Sequence, residues 1–407
     1  MTLGPRFVPD FSLAIDGDPI PSELRASISA ITHETGLEGA DRVDIDIVNQ
    51  RLRWLDHPLL ALDTDVVLSL GYRDGTMEQL FVGEIVGREC SFPSSGLPTL
   101  RVGCQDRMRL LQQGTSTLAY GIPIPSLANY PLPDIVVAGA VSAMNLLVPV
   151  FDPVGAALSI LLGGLEVAAL ADKDDAQKFI RKQEGQSDFD FLSIVARENG
   201  WEMSIDHAGP LGGWMLRFQS PLDHLDADVT LVYGRSLVEF TPRLTTVGQV
   251  VGVSANVWVP MVKKTFTVTV GWDWDRAQLT LNIAPAGLPI GSGPAVQVLD
   301  EPVTLTTAPR YIVGTLIPKL NQRLTGSGST VGDPRIRAGT VLRLEGLGEE
   351  FGGLYRVTQA THTLDSGGYR TSFDVRKDIW FGSIPRREQG AWPVAWADPP
   401  GTGATGA

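Results

Sequence analysis

Short runs with an apolar residue at every second position dominate both ends of this chain, and that period restricts its fold more than any other feature. Phe11, Leu13 and Ile15 alternate ahead of Asp16-Gly17-Asp18. Val43, Ile45 and Ile47 repeat the pattern, as do Val66, Leu68, Leu70 and Tyr72 ahead of Arg73-Asp74-Gly75. Leu80 to Val86 returns as a hairpin partner, and Leu100, Val102 and Cys104 lead into a helical run from Asp106 to Gln112. Period two sends successive side chains to opposite faces of a pleated strand, so each run offers one face for burial. Several such strands with Gly and Asp turns predict a sandwich or barrel over residues 1–112. The period returns in Val251–Val259, Phe266–Val270, Leu279–Ile283, Val341–Leu344 and Tyr369–Val375. These runs predict a second β domain over 231–381 with inserted strands, and a helix from Thr307 to Arg323 weakened by Pro318. The 44 glycines and 28 prolines suit a mainly β chain rich in turns.

Residues 113–230 read differently, as an α+β domain. Ser187 is an N-cap with Asp190 three residues on, and Phe191, Leu192, Val195 and Ala196 share one helical face. Gly200 stands where a left-handed C-terminal residue is wanted, and Trp201, Met203 and Ile205 then alternate into a strand. Gly209–Gly213 turns the chain, and Trp214, Leu216 and Phe218 complete a hairpin. Upstream lies an apolar insert, 135–165, whose only ionisable residue is Asp152. Pro149, Asp152 and Pro153 cut it into halves too short to span a bilayer, which needs about 20 apolar residues. A two-helix hairpin hidden in an assembly is the expectation, with membrane contact the minor alternative. After residue 381 the composition shifts to Pro, Gly, Ala and Thr, a tail (382–407) expected to order only on a partner.

The string Gln183-x-x-x-Ser187-Asp188-Phe189-Asp190-Phe191-Leu192, followed by Ala196-x-Glu198-x-Gly200-Trp201, resembles the phage late control protein D family. That family includes the hub portion of VgrG proteins and the baseplate hubs of contractile tails. Gly234 within a strand–Gly–strand segment, Gly332-x-Pro334 ahead of Gly339, Phe351-x-Gly353-x-Tyr355, and then His362, Tyr369 and Phe373 extend the resemblance over most of the chain. It implies two similar tube-docking-type barrels plus a helix-hairpin domain. It also implies a structural role: a homotrimeric hub joining a spike protein to a hexameric inner tube protein, among other baseplate proteins. Assembly would be in a bacterial cytoplasm as part of a phage tail or tail-like particle, with release from the cell a further outcome the resemblance allows. VgrG proteins continue into a spike, so a separate spike protein is expected here. A trace of duplication agrees: Val67–Leu70 and Phe81-x-Gly83 recur as Val341–Leu344 and Phe351-x-Gly353. Gly83 is expected to fall on Gly353.

The sequence carries no motif of reactive chemistry. The five histidines, His33, His57, His207, His224 and His362, make no H-E-x-x-H motif and pair with no cysteine at ligand spacing. Asp223–Asp228, with His224, is the densest run of ligand-type residues and reads as a solvated turn. Cys90 and Cys104 read as free thiols. Glu349-Glu350 reads as a charged loop rather than a glycosidase pair, because adjacent strand residues face opposite ways. Trp258, Trp272 and Trp274 are expected to pack a barrel, and Trp392 and Trp396 to help the tail dock. No catalytic residue, cofactor or metal is expected, so the chain is not read as an enzyme. A tail-borne cell-wall hydrolase is the alternative. A net charge of -13 argues against a general nucleic-acid surface, and no signal peptide is visible at the N-terminus.

Overall fold

The computed structural model describes residues 8–73, 75, 77–122, 130–168, 179–209, 211–244, 252–259, 264–273, 278–285, 296–298, 310 and 312–381. The protein is mainly β. The period-two runs at the N-terminal end become β1 (Pro9–Ile15), β2 (Asp18–Pro19), β3 (Ile28–Gly36), β4 (Arg42–Val48), β5 (Asp65–Tyr72), β6 (Met77–Ser91) and β7 (Thr99–Asp106), with helix α1 (Ser22–Ser27) after β2. Their inward residues, among them Leu13, Val43, Ile45, Leu68, Leu70, Phe81, Leu100 and Val102, form one core. Cys104 is buried in that core, and both cysteines are free.

The insertion follows: β8 (Ser116–Tyr120), α2 (Asp134–Met144), β9 (Val148–Phe151), α3 (Pro153–Ala168), β10 (Arg181–Gln186), α4 (Asp188–Asn199), β11 (Glu202–Asp206) and β12 (Met215–Gln219). The apolar segment 135–165 is therefore not a simple two-helix hairpin. Val148–Phe151 forms a strand between the helices, parallel to β12 at the edge of the sheet β11-β12-β9. Pro149 has no N–H to donate, and an edge strand tolerates that. Pro153 opens α3, where its missing N–H costs nothing, and Asp152 Oδ1 accepts the Gly155 N–H at 2.7 Å. Among the described residues no helix is long and apolar enough to cross a membrane.

The C-terminal part contributes β13 (Val229–Val232), β14 (Leu237–Leu244), β15 (Gly252–Val259), β16 (Lys264–Asp273), β17 (Gln278–Pro285), β18 (Val296–Val298), β19 (Leu324–Val331), β20 (Val341–Glu345), β21 (Gly353–Asp365) and β22 (Gly368–Arg376). The inserted strands β15 to β18 form their own sheet, order β17-β16-β15-β18. Trp258 and Trp272 lie on β15 and β16, while Trp274, Trp392 and Trp396 lie outside the described residues. Ahead of Pro318 the expected helix becomes a π-helical turn, Ile312–Leu316, followed by α-helix Ile317–Asn321. A proline that cannot donate gives a local reason for leaving the α pattern there.

Within the main sheet the first six-strand set runs β1-β5-β6-β7-β4-β3 and the second runs β13-β20-β21-β22-β19-β14. Counted along the chain, both follow one order: first, fourth, fifth, sixth, third, second. The first strand is antiparallel to its neighbour in one set and parallel in the other. The sets are not separate, because β21 pairs with β3 and makes one continuous 13-stranded sheet.

The expected glycine match fails in register. Leu68 faces Phe81 and Leu342 faces Tyr355, so laying Val67–Leu70 on Val341–Leu344 puts Phe81 on Tyr355. Gly83 faces Val66, whereas Gly353 faces Leu344. The two glycines also answer different needs. A Cβ on Gly83 would lie 2.2 Å from Gln105 O, while Gly353 takes φ 111°.

Candidate functional site at the seam of the sheet

His33 of β3 and His362 of β21 sit directly opposite each other where the two strand sets join. Both are fully buried, and their rings stack 5.6 Å apart at 18°. His362 Nε2 lies 2.9 Å from Ile336 O, so it donates there, and Nδ1 accepts from Tyr369 Oη at 2.9 Å. Those partners fix the neutral Nε2–H tautomer. Burial drives its pKa down to about 4. His33 is held well below the usual histidine range by burial first and by His362 and His207 next, and neither of its nitrogens has a hydrogen-bond partner.

The insertion reaches this seam through the β11–β12 turn. His207 Nδ1 accepts the Val82 N–H at 3.1 Å, and Nε2 lies 3.1 Å from Asp41 Oδ2 and 3.8 Å from Asp106 Oδ2. Gln79 Nε2 donates to His207 O, and the Arg107 guanidinium lies 3.8 Å from the centroid of the Trp214 ring. Burial opposes the charged form of His207, but the Asp41 bond and the Asp41 and Asp106 charges outweigh it and raise the pKa. Burial, then the Asp41 charge, pushes Asp106 up to about 7.

Asp41, Asp106 and His207 bring three ligand-type atoms within 4.8 Å of one another. The donor count suits a proton better than a cation. With Nδ1 taken by the Val82 amide, the ring proton must sit on Nε2, the atom a metal would need. The cluster is a buried polar peg that fastens the insertion to the first strand set.

Two further polar nodes tie the parts together. Asp134 accepts from Arg181 at 2.8 and 2.9 Å, from Asn199 at 2.7 Å and from Arg310. Burial would raise this carboxyl, but Arg181 and Arg310 hold it down to about 2. Arg356 is buried and donates to Asp378 at 2.7 Å, Gly339 O at 3.0 Å, Pro221 O at 2.6 Å and His224 O at 2.9 Å. Such a node links the insertion's exit loop to the second strand set.

The residues singled out in the sequence fall into three groups. Ser187 caps α4 by accepting the Asp190 N–H at 3.0 Å, Asp188 accepts from Asn145 and Gln183 at 2.7 Å each, and Phe191 stacks on Tyr120 at 5.2 Å. Leu192 is buried and Phe189 packs at the edge of the same core. Gly200 ends the helix at φ 69°, where an added Cβ would also meet Val313 at 2.7 Å. The second group lies at the seam. Gly332 packs under the Tyr369 ring, and its carbonyl accepts from Tyr72 Oη of the first set at 2.8 Å. Pro334 and Gly339 flank the Ile336 carbonyl that His362 grips. Phe351, Gly353 and Tyr355 make the third group, at the β20–β21 hairpin, where Phe351 O accepts from Tyr355 Oη at 2.7 Å. Gly234 stands apart at a positive-φ turn between β13 and β14. Of the Asp223–Asp228 run, His224 and Asp228 pair at 2.8 Å on the surface.

Sequence reasoning missed Asp41, Asp106, Asp134 and Arg356. Their partners are remote in sequence: His207 and Asp41 are separated by 166 positions. The available signal was a charge set among apolar strand or helix positions, as with Asp134 ahead of an apolar helix.

Comparison with known proteins follows the fold. The Alg8 N-terminal domain family matches residues 164–366, just under half of the chain. That span starts inside α3 and ends in the β21–β22 turn, so it cuts through both the insertion and the second strand set. No curated protein matches the sequence. Among solved structures, the 43 kDa tail protein of prophage MuSo2 from Shewanella oneidensis superposes with a TM-score of 0.60 at 13% identity, over 90% of this chain and 98% of that one. The tail protein from Neisseria meningitidis MC58 gives 0.59 at 11% identity, over 93% and 98%. The E. coli c3393 protein, described as a type VI secretion component similar to T4 bacteriophage tail proteins gp27 and gp5, gives 0.52 at 12% identity, over 88% and 76%. The chain thus has the fold of these phage tail proteins and of the type VI secretion component.

Proposed function

We propose that the protein is the structural hub of a phage tail or contractile injection system, a homotrimeric adaptor between a central spike and a hexameric inner tube. One observation carries the reading: two strand sets of the same order occur side by side in one continuous sheet of a single chain. Three such chains around a threefold axis present six similar edges, which matches a sixfold tube to a threefold spike. The task needs a large preformed interface rather than a reactive group. The tail-protein fold supports it. The polar nodes at His207, Asp134 and Arg356 serve it by holding the insertion and both strand sets in one fixed arrangement. No arrangement among the described residues favours the hydrolase alternative.

The test is a reconstruction of the complex formed when the protein is co-expressed with candidate tube and spike proteins from the same genome. Each chain should touch two tube subunits, one through each strand set. Contact through only one set would refute the adaptor role.

A further inference from the structure

A groove of about 760 Å³ runs where the insertion meets the second strand set. Leu158, Phe189, Ile194, Trp201, Ile317 and Trp380 line it. All of these except Trp201 are only half-buried, so the trough is apolar, aromatic and open to water. Glu38, Asp190 and Arg197 stand exposed on its rim, and among the described residues none of the three enters an ion pair.

The groove wall is also where the described chain ends. Trp380 belongs to the last turn, Ile379–Phe381, and residues 382–407 follow. That segment holds Arg386-Arg387 and then Ala391-Trp392-Pro393-Val394-Ala395-Trp396-Ala397-Asp398-Pro399-Pro400. Prolines at this density favour an extended polyproline-type backbone, whose usual receptor is an aromatic-lined groove. The stretch from Phe381 to Trp392 reaches up to about 36 Å when extended, ample to fold back onto a wall that Trp380 itself forms.

We propose that this groove is the docking site of the chain's own C-terminal segment, with Trp392 and Trp396 seated against Phe189, Trp201 and Trp380. Arg386 and Arg387 then face Glu38 and Asp190, and Asp398 faces Arg197. The docked segment covers the seam between the insertion and the second strand set, whether or not the chain is a hub.

The first test compares the full chain with one ending at Phe381, using a fluorescent peptide of residues 390–400 and anisotropy. The shortened chain should bind saturably, the full chain at least tenfold more weakly, and Ile194→Arg should abolish binding. Absence of binding to a folded shortened chain, or equal binding to both chains, overturns the proposal. The second test uses the full chain alone and guards against misfolding of the shortened one. The double variant Trp392→Ala/Trp396→Ala should speed amide exchange several-fold in residues 189–203, and unchanged exchange overturns the proposal. If the tryptophans matter only at concentrations where copies associate, the occupant is a second copy and the same-chain proposal fails.

Discussion

Replacing His362 with Gln isolates the cost of burying a histidine at the seam. The Gln amide can still donate to Ile336 O, as His362 Nε2 does at 2.9 Å, but it cannot titrate. In the folded protein His362 has its pKa depressed to about 4 from 6.5. An unfolded chain therefore takes the proton first as pH falls. The stability this ring contributes is complete above about pH 6.5, is lost through the window down to about 4, and is level below that. At ~1.4 kcal/mol per unit the loss is about 3 kcal/mol. Raw acid unfolding would blur this, because Asp106 and His207, whose pKa values are raised, change stability in the opposite direction over part of the same range. The difference between wild type and His362→Gln removes most of that background. Urea unfolding followed by circular dichroism every half pH unit from 7.5 to 4 is the assay. Wild type should lose about 3 kcal/mol relative to the variant across the series. A gap that stays constant with pH would refute the neutral, desolvated assignment of His362.

Other substitutions test separate parts of the packing. Gly332→Ala places a Cβ 2.1 Å from the Tyr369 ring and should cost about 1–3 kcal/mol by overpacking, read as a lowered melting temperature. Arg356→Ala leaves Asp378 with Arg376 as its charge partner but strips the donor from the Gly339, Pro221 and His224 carbonyls, and should cost about 1–3 kcal/mol, whereas Arg101→Ala, which breaks the exposed Asp46 pair, should cost less than ~1 kcal/mol, both measured by urea titration. Ser187→Ala removes the cap of α4 and should cost about 1 kcal/mol in the same titration.

Local rules made much of the architecture legible. The strands of the first set follow from period two, and the start and stop of α4 follow from Ser187 and Gly200, because caps and pleats are short-range physics. The apolar insert showed where the rules stop. Pro149 and Pro153 announced a break in it, but the parallel pairing of β9 with β12 depends on a strand more than 60 residues away. The mistaken match of Gly83 with Gly353 has the same origin. Both sit in F-x-G strings, yet only pairing register shows that they face different partners. The seam was the least legible part. His33, Asp41, Asp106, His207 and His362 come from five separated places, and each alone looks like an ordinary strand or loop residue. The grouping of Gly332, His362 and Tyr369 was visible only as a family pattern, without the ring-on-glycine contact that explains it.

The proposed role puts three copies of this chain between a spike and a tube. The most direct measurement is the native mass of the full-length protein, alone and mixed with candidate tube and spike proteins. The account predicts a species of three chains, each 43.8 kDa, that binds one spike assembly and six tube subunits. A species that stays at the mass of one chain, with both partners present at concentrations where they assemble, would contradict it.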